Sequence, residues 1–348
     1  MTFLLSDIAA SIPAFDVHAA RQARERQDRL TKPQGSLGQL EALSIQLAGI
    51  TGNPLPRTDR PGIFVFAADH GVAARGVSAY PAEVTAQMVL NYARGGAVIN
   101  VLAKQIGAEL TVADVGVSSA LPDDLIIHHR KVRLGTADWT EGPAMTREEA
   151  LRAIQIGAEI FEASGADLAV IGEMGIGNTT TAAALSAALT GLAPAELIGR
   201  GTGVDDAGLA RKLAAIETGL ARLPKTSDPL EILSAIGGLE IAAMAGVALA
   251  AARRRVPVLL DGFISTTAGL LAAAIAPAAR EYLLASHRSP EPGHTLLLRR
   301  LELTPLLDLG MRLGEGSGAA LAVPLIQSAL AVLRDVATFE QAGVSDRE

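Results

Sequence analysis

Short, uninterrupted apolar runs that each stop at an acid or a glycine constrain this chain more than any other feature. The clearest is Ile63-Phe64-Val65-Phe66-Ala67-Ala68, which stops at Asp69-His70-Gly71. Comparable runs end at Asp114-Val115-Gly116, at Ile171-Gly172-Glu173 and at Asp261-Gly262, and Tyr282–Ser286 is a further candidate. Each is followed by glycine or polar residues and then by a segment of helical pattern. A strand that is apolar throughout needs cover on both faces. The alternation therefore predicts parallel βαβ units: an α/β fold with a mostly parallel sheet between helical layers, three-layered and Rossmann-like. In such sheets ligands bind beyond the carboxyl ends of the strands, which is where the polar and glycine clusters fall.

The termini follow a different grammar. Leu40, Leu43, Leu47 and Ile50 recur on one helical face, and nothing before residue 55 reads as a strand. A long helical pattern returns over Ala319–Phe339. Residues 1–55 with 319–348 are expected to form a small all-α domain beside a large α/β catalytic domain of 56–318, with Ser345–Glu348 as a frayed tail.

Composition narrows the partners. With 348 residues, 49% hydrophobic and 19% charged, the chain can bury a sizeable core. Its 30 Lys+Arg against 37 Asp+Glu give a net charge of −7, which argues against nucleic acid as the main partner. Zero cysteines exclude disulfides, thiolate nucleophiles and Cys-ligated metal. The first residues meet Asp7 before any long apolar stretch and lack a basic lead, so no secretory signal is expected and the cytoplasm is the expected location. The stretches Ile241–Ala252 and Ala268–Ala279, at about twelve residues, fall short of the roughly 20 that cross a bilayer and read as buried helices.

Four segments carry chemistry. Gly172-Glu173-Met174-Gly175-Ile176-Gly177-Asn178-Thr179-Thr180 is a strand end leading to a helix start, suited to holding a phosphate on backbone N–H groups or, more plainly, a tight turn. It nearly matches a P-loop, but Asn178 stands where that motif needs Lys, which argues against a nucleoside triphosphatase. Gly199-Arg200-Gly201-Thr202-Gly203 leads through Asp205, a helix cap, to Lys212, which is a solvated lysine by default and an anion ligand only with further support. Gly314-Glu315-Gly316-Ser317-Gly318 encloses a carboxylate in glycines, so that ligand and main chain can close around a general base. A plain helix-start acid remains the other reading of Glu315. Around Asp69-His70-Gly71, a metal site joining Asp69, His70, His287 and His294 is disfavoured because no local His spacing supports it. Ala79, Tyr80, Gln87 and Met88, with Met174, suit a flat, mostly apolar pocket for an aromatic base, although core packing explains Met88 equally well.

At these residues the sequence resembles the nicotinate-nucleotide–dimethylbenzimidazole phosphoribosyltransferase family of cobalamin lower-ligand assembly. The likeness runs in order through Lys32-Pro33-Gln34-Gly35-Ser36-Leu37-Gly38, Ala68-Asp69-His70-Gly71, Gly76-Val77-Ser78-Ala79-Tyr80-Pro81 and Gly172–Thr180. It continues through Gly201-Thr202-Gly203, Asp261-Gly262-Phe263, Ser286-His287-Arg288-Ser289, Gly293-His294 and Arg312–Gly318. The resemblance implies transfer of the 5-phosphoribosyl group from nicotinate mononucleotide to 5,6-dimethylbenzimidazole, with inversion at the anomeric carbon. It also implies a homodimer with no metal and no cofactor, a base at Glu315, Glu173 and Lys212 in the site, and the phosphate in the glycine loops. Site residues expected on this footing include Gly175, Ile176, Gly177, Asn178, Gly201, Gly203, Asp261, Gly314 and Gly316. Alternatives are the same donor with adenine, another azole or a phenol as acceptor, a non-enzymatic nucleotide-binding module, and a phosphate-hydrolysing P-loop protein.

Overall fold

The computed structural model describes residues 5–345; the first four residues, on which most of the signal-sequence reading rests, and the last three of the expected tail lie outside them. Six strands form one sheet: β1 (Pro61–Ala68), β2 (Glu109–Gly116), β3 (His128–His129), β4 (Leu168–Met174), β5 (Val258–Leu260) and β6 (Leu283–Ala285). Their order is β3-β2-β1-β4-β5-β6, and every neighbouring pair is parallel. The expected runs are β1, β2, β4, β5 and β6; β3 is not among them. β1 lies at the centre and is buried along its whole length, which is why its sequence is apolar without alternation.

Chain order reverses between β1 and β4, since β1 leads outward to β2 and β3 on one side while β4 to β6 extend the other. Such a switch point opens a crevice at the carboxyl edge. Register aligns the strand ends: Phe66 stands opposite Glu173, Ala67 opposite both Asp114 and Met174, and Leu260 opposite Ala285. Asp69, Glu173, Asp261 and His287 therefore emerge on one edge of the sheet.

The helix Leu239–Arg253 is buried on all sides from Leu239 to Ala252. It lies against the helix Arg147–Ser164 at backbone contact, because a Cβ on Gly157 would fall 1.8 Å from the Ala243 carbonyl oxygen and one on Gly246 1.9 Å from that of Ile154. Alanine and glycine at this seam permit the approach, and the apolar stretch is a core helix for that reason. Among the described residues one helix, Ser317–Asp335, is long and apolar enough to cross a membrane, and 56% of its apolar window is buried inside the protein.

The helices Val17–Gln27 and Gln39–Thr51 lie together with Ser317–Asp335, whereas Leu5–Ser11 lies against Leu239–Arg253. Leu43, Leu47, Ile50, Ala319 and Ile326 join the same apolar cluster as the sheet, whereas Ala23, Ala48 and Leu333 form a small cluster of their own. The two termini are also tied by polar contacts. Arg26 donates to the carbonyls of Leu333 (2.6 Å), Arg334 (2.8 Å) and Val336 (3.1 Å).

Candidate active site

A cleft of about 630 Å³ opens at the carboxyl edge of the sheet, over the switch point. Its floor is the end of β4, Gly172 to Ile176, with Asp261 from the end of β5. Tyr80, Val84, Met88 and Val98 form an apolar wall, and Asn178, Thr179, Gly201, Thr202 and Glu291 form a polar one. The segment Arg312–Glu315 closes the third side.

Glu315 owes its place to glycines on two elements. A Cβ on Gly172 would lie 2.5 Å from the Glu315 carbonyl carbon and oxygen, so only a glycine in β4 lets the Glu315 main chain rest on the strand. Gly314, Glu315 and Gly316 then adopt φ of 85°, 64° and 84° in succession. For the glutamate this left-handed backbone is strained by about 1–3 kcal/mol, which the surrounding structure must offset. Asp261 holds the turn: its Oδ2 accepts from Gly316 N–H at 3.2 Å and its Oδ1 from Ala319 N–H at 3.0 Å. An acid from a neighbouring strand thus caps the helix Ser317–Asp335 and fixes the residue immediately before it.

The site is a cluster of buried acids. Burial raises the Glu315 carboxyl above the ordinary carboxylate range, with the Asp261 charge adding to it, while the Tyr92 hydroxyl and the Ile99 amide pull the other way. Glu315 Oε2 is buried and has no hydrogen-bond partner among the described residues. Glu173 is raised well above its usual value, by burial first and then by the charges of Glu240, Asp261 and Glu315. Its Oε2 accepts from the Asn178 side-chain amide. Asp261 is pushed up to about 7 by burial, against the lowering effect of its backbone donors. A carboxylate of raised pKa takes up protons more readily at neutral pH, which is what a general base requires.

Two expectations change in the folded chain. Lys212 is not a solvated lysine: it is 2% exposed, and its Nζ donates to Thr179 Oγ1 and to the Gly199 carbonyl, each at 3.1 Å. Burial lowers its pKa and the charge of Glu291 partly restores it. The amine lies one layer behind the polar wall, where a Cβ on Gly201 would be 2.8 Å away. Gln87 lies on the exposed side of the helix Val84–Ala93, while Val84, Met88 and Asn91 face the cleft.

Of the remaining expected residues, Tyr80, Met88, Met174, Gly175, Ile176, Asn178, Gly201, Asp261, Gly314, Glu173 and Glu315 all line the cleft. Ala79, Gly177, Gly203 and Gly316 stand just behind or beside it. The Ala79 N–H donates to Thr202 Oγ1 at 3.0 Å, linking the two walls. Gly177, at φ 97°, starts the helix Asn178–Thr190, and Gly203, at φ 104°, turns in open space. Asp205 is the expected cap, accepting from Gly208 N–H at 2.8 Å.

Sequence reasoning missed the cleft positions of Thr179, in the first turn of the helix Asn178–Thr190, and of Thr202, Glu291 and Arg312, which come from separate loops. The signal was present only as glycines beside them: a Cβ on Gly199 would lie 1.9 Å from Glu291 Oε2, and Glu291 Oε1 accepts from Gly201 N–H at 3.0 Å. His287 lines the cleft, whereas His70 and His294 lie outside it. His70 Nε2 is 2.9 Å from Glu240 Oε1, its Nδ1 is 3.0 Å from Thr181 Oγ1, and Trp139 Nε1 donates to that same hydroxyl at 3.2 Å. His294, lowered to about 3 by burial, lies 3.0 Å from the Thr266 hydroxyl. Among the described residues, no three potential metal ligands converge.

An all-parallel sheet with glycine loops and buried acids at its switch point suits a transferase acting on a nucleotide, and the class is that of the phosphoribosyltransferases: a family model so described matches residues 12–344. The chain is 55% identical over 349 residues to the nicotinate-nucleotide–dimethylbenzimidazole phosphoribosyltransferase of Chloroflexus aggregans, with 99% of each covered. It is 55% identical over 348 residues to that of Roseiflexus sp. strain RS-1, again with 99% of each covered. The chain belongs to the nicotinate-nucleotide–dimethylbenzimidazole phosphoribosyltransferase family. Its fold matches the crystal structure of CobT from Thermus thermophilus with a TM-score of 0.92 at 51% identity, over 94% of this chain and 99% of that one.

Proposed function

We propose that this chain transfers the 5-phosphoribosyl group of nicotinate mononucleotide to 5,6-dimethylbenzimidazole, releasing nicotinate and forming α-ribazole 5′-phosphate. The observation that carries the reading is Glu315, a buried carboxylate with an unpartnered oxygen, held by glycines at the cleft of a chain in this family. One benzimidazole nitrogen attacks the anomeric carbon as the bond from that carbon to the nicotinate nitrogen breaks. The pyridinium takes the bonding electrons and leaves as neutral-ring nicotinate, so no acid is needed. The attacking ring gains positive charge, its other N–H becomes acidic, and Glu315 accepts that proton. A single displacement inverts the anomeric centre.

Glu173 and Asp261 lie within the charge field of Glu315 and bear on the sugar as positive charge develops there. The donor phosphate is assigned to the Gly175–Asn178 helix start and to the Gly201 side, behind which the Lys212 amine is buried. The acceptor is assigned to the apolar wall of Tyr80, Met88 and Met174. Tyr80, Val98 and Leu313 at the cleft are 55%, 49% and 52% exposed, which favours the homodimer implied by the family, with a second copy covering this face. We place the enzyme in the cytoplasm. Incubating purified protein with nicotinate mononucleotide and a panel of azoles, and following nicotinate release, tests the activity; no release with any azole would overturn it. Light scattering of the same preparation tests the dimer.

A further inference from the structure

Behind the floor of the cleft, two titratable side chains that the proposed reaction does not use are buried against each other. His70 and Glu240 are each 0% exposed at the side chain, and His70 Nε2 lies 2.9 Å from Glu240 Oε1. Glu240 Oε2 is buried and has no hydrogen-bond partner among the described residues. On the other side of the ring, Nδ1 lies 3.0 Å from Thr181 Oγ1, which accepts from Trp139 Nε1 at 3.2 Å. An indole N–H only donates, so the threonine keeps its own proton to give to Nδ1, and Nε2–H then points to Glu240. The ring has no room to turn: a Cβ on Gly238 would fall 2.6 Å from its Cε1, and one on Gly175 3.2 Å from its Nε2.

What the ring touches leads to Glu173. Gly175 belongs to the cleft floor, and a Cβ on Gly177, where the helix Asn178–Thr190 starts, would lie 3.3 Å from the His70 Cβ. Thr181 stands in the first turn of that helix with Asn178, so its contact with His70 fixes the turn that carries both. The Asn178 side-chain amide in turn donates to Glu173 Oε2. The Glu240 charge reaches the same acid, since after burial it does most to raise Glu173. Contacts and charge thus run from the buried pair to one cleft carboxyl. The core alone does not call for such a pair, because apolar side chains of similar volume often serve as well or better.

We propose that His70 is a positioning residue for the reaction: locked between Glu240 and Thr181, it holds the first turn of the helix Asn178–Thr190, and through Asn178 it fixes the Glu173 carboxyl where positive charge develops on the sugar. His70 lies outside the cleft lining and acts through Glu173 rather than on substrate. The inference rests on the place proposed above for Glu173 at the sugar.

A double-mutant cycle on kcat for nicotinate release tests this, with nicotinate mononucleotide and dimethylbenzimidazole saturating. One arm makes the pair apolar, His70→Leu with Glu240→Met, and the other is Glu173→Gln. The apolar pair is expected to keep the thermal midpoint within a few degrees of wild type and KM for dimethylbenzimidazole within a few-fold. Its kcat is expected to fall roughly 10- to 100-fold, the scale of a misplacement near 1 Å. In the Glu173→Gln background the same replacement is expected to cost no more than a few-fold, because the group that His70 places is already gone. His70→Gln keeps a donor for Glu240, and so the fold, but loses the Thr181 contact; its kcat is expected to fall about 3- to 10-fold, again only where Glu173 is present. If the apolar pair does not fold, His70→Gln decides by the same comparison. Equal losses in both backgrounds would overturn the positioning role, as would an apolar pair whose kcat stays within a few-fold of wild type. A wild type that releases nicotinate while the cycle shows no coupling removes this role and leaves the proposed reaction standing, whereas no release by the wild type with any azole removes both.

Discussion

The Glu315 main chain rests on Gly172: a Cβ at this β4 position would come within 2.5 Å of the Glu315 carbonyl carbon and oxygen and of the next amide nitrogen. The neighbouring atoms are backbone, so they cannot swing aside as a side chain could. Gly172→Ala is expected to push the loop outward and lower kcat by up to about 10²-fold, the scale of a displacement near 1 Å at a reacting group. Donor binding is expected to change less. Comparing kcat with the dissociation constant of nicotinate mononucleotide checks the split.

Glu315→Gln keeps the size and removes the base. Turnover at saturating acceptor is expected to fall roughly 10²–10⁴-fold with the thermal midpoint near that of the parent. Turnover within a few-fold of the parent would show that another group takes the proton.

Because Glu315 is raised by burial, it protonates at a higher pH than an ordinary carboxylate. The acid limb of kcat/KM is therefore expected to begin above the pH at which a solvated glutamate would titrate, with activity lost as pH falls through it. A pH profile of kcat/KM measures this directly, and its acid limb is expected to vanish in the residual activity of Glu315→Gln.

Burial pushes the Asp261 carboxyl up to about 7 in the folded chain, from an ordinary value of 3.8. The native state thus holds its proton more tightly than the unfolded state, so this group's contribution to stability falls as pH rises from about 4 to about 7 and is flat above. The stability difference between the wild type and Asp261→Asn is expected to show that slope in denaturant titrations. Asn also cannot accept from Gly316 and Ala319 together, so kcat is expected to fall in the same variant.

Acceptor choice is expected to follow the apolar wall. Dimethylbenzimidazole should exceed benzimidazole by only about 10- to 200-fold, the worth of methyl-sized differences, with adenine below both because its polar edge would be desolvated against methionine and tyrosine. Met88→Gln is expected to narrow the gap to adenine, whereas Gln87→Met, on the exposed face, leaves the order unchanged. Competition assays with mixed bases at fixed donor decide it.

Residue patterning alone was enough to locate most of the sheet and the loops that matter. A central parallel strand must be apolar on both faces, so Ile63–Ala68 and Leu168–Ile171 could be read directly, and the acid or glycine that ends each run marks the carboxyl edge. β3 was beyond such reading: two exposed histidines at a sheet edge pair through backbone alone and leave no apolar run. Helical rotation separated Gln87 from Met88, because adjacent positions point about 100° apart and only the docked helix shows which one meets the cleft. By residue pattern alone Lys212 reads as a surface lysine, and only the family resemblance puts it in the site; the helix Asp206–Arg222 lays its amine against Thr179 and Gly199, contacts that exist only once residues 33 and 13 positions away are folded beside it. The same holds for Glu291 at Gly201, 90 positions apart, and for His70 at Glu240, 170 apart. Local patterning encodes which backbone is strand, turn or helix start; the pairing of charges in a buried site depends on distances that only the packed chain sets.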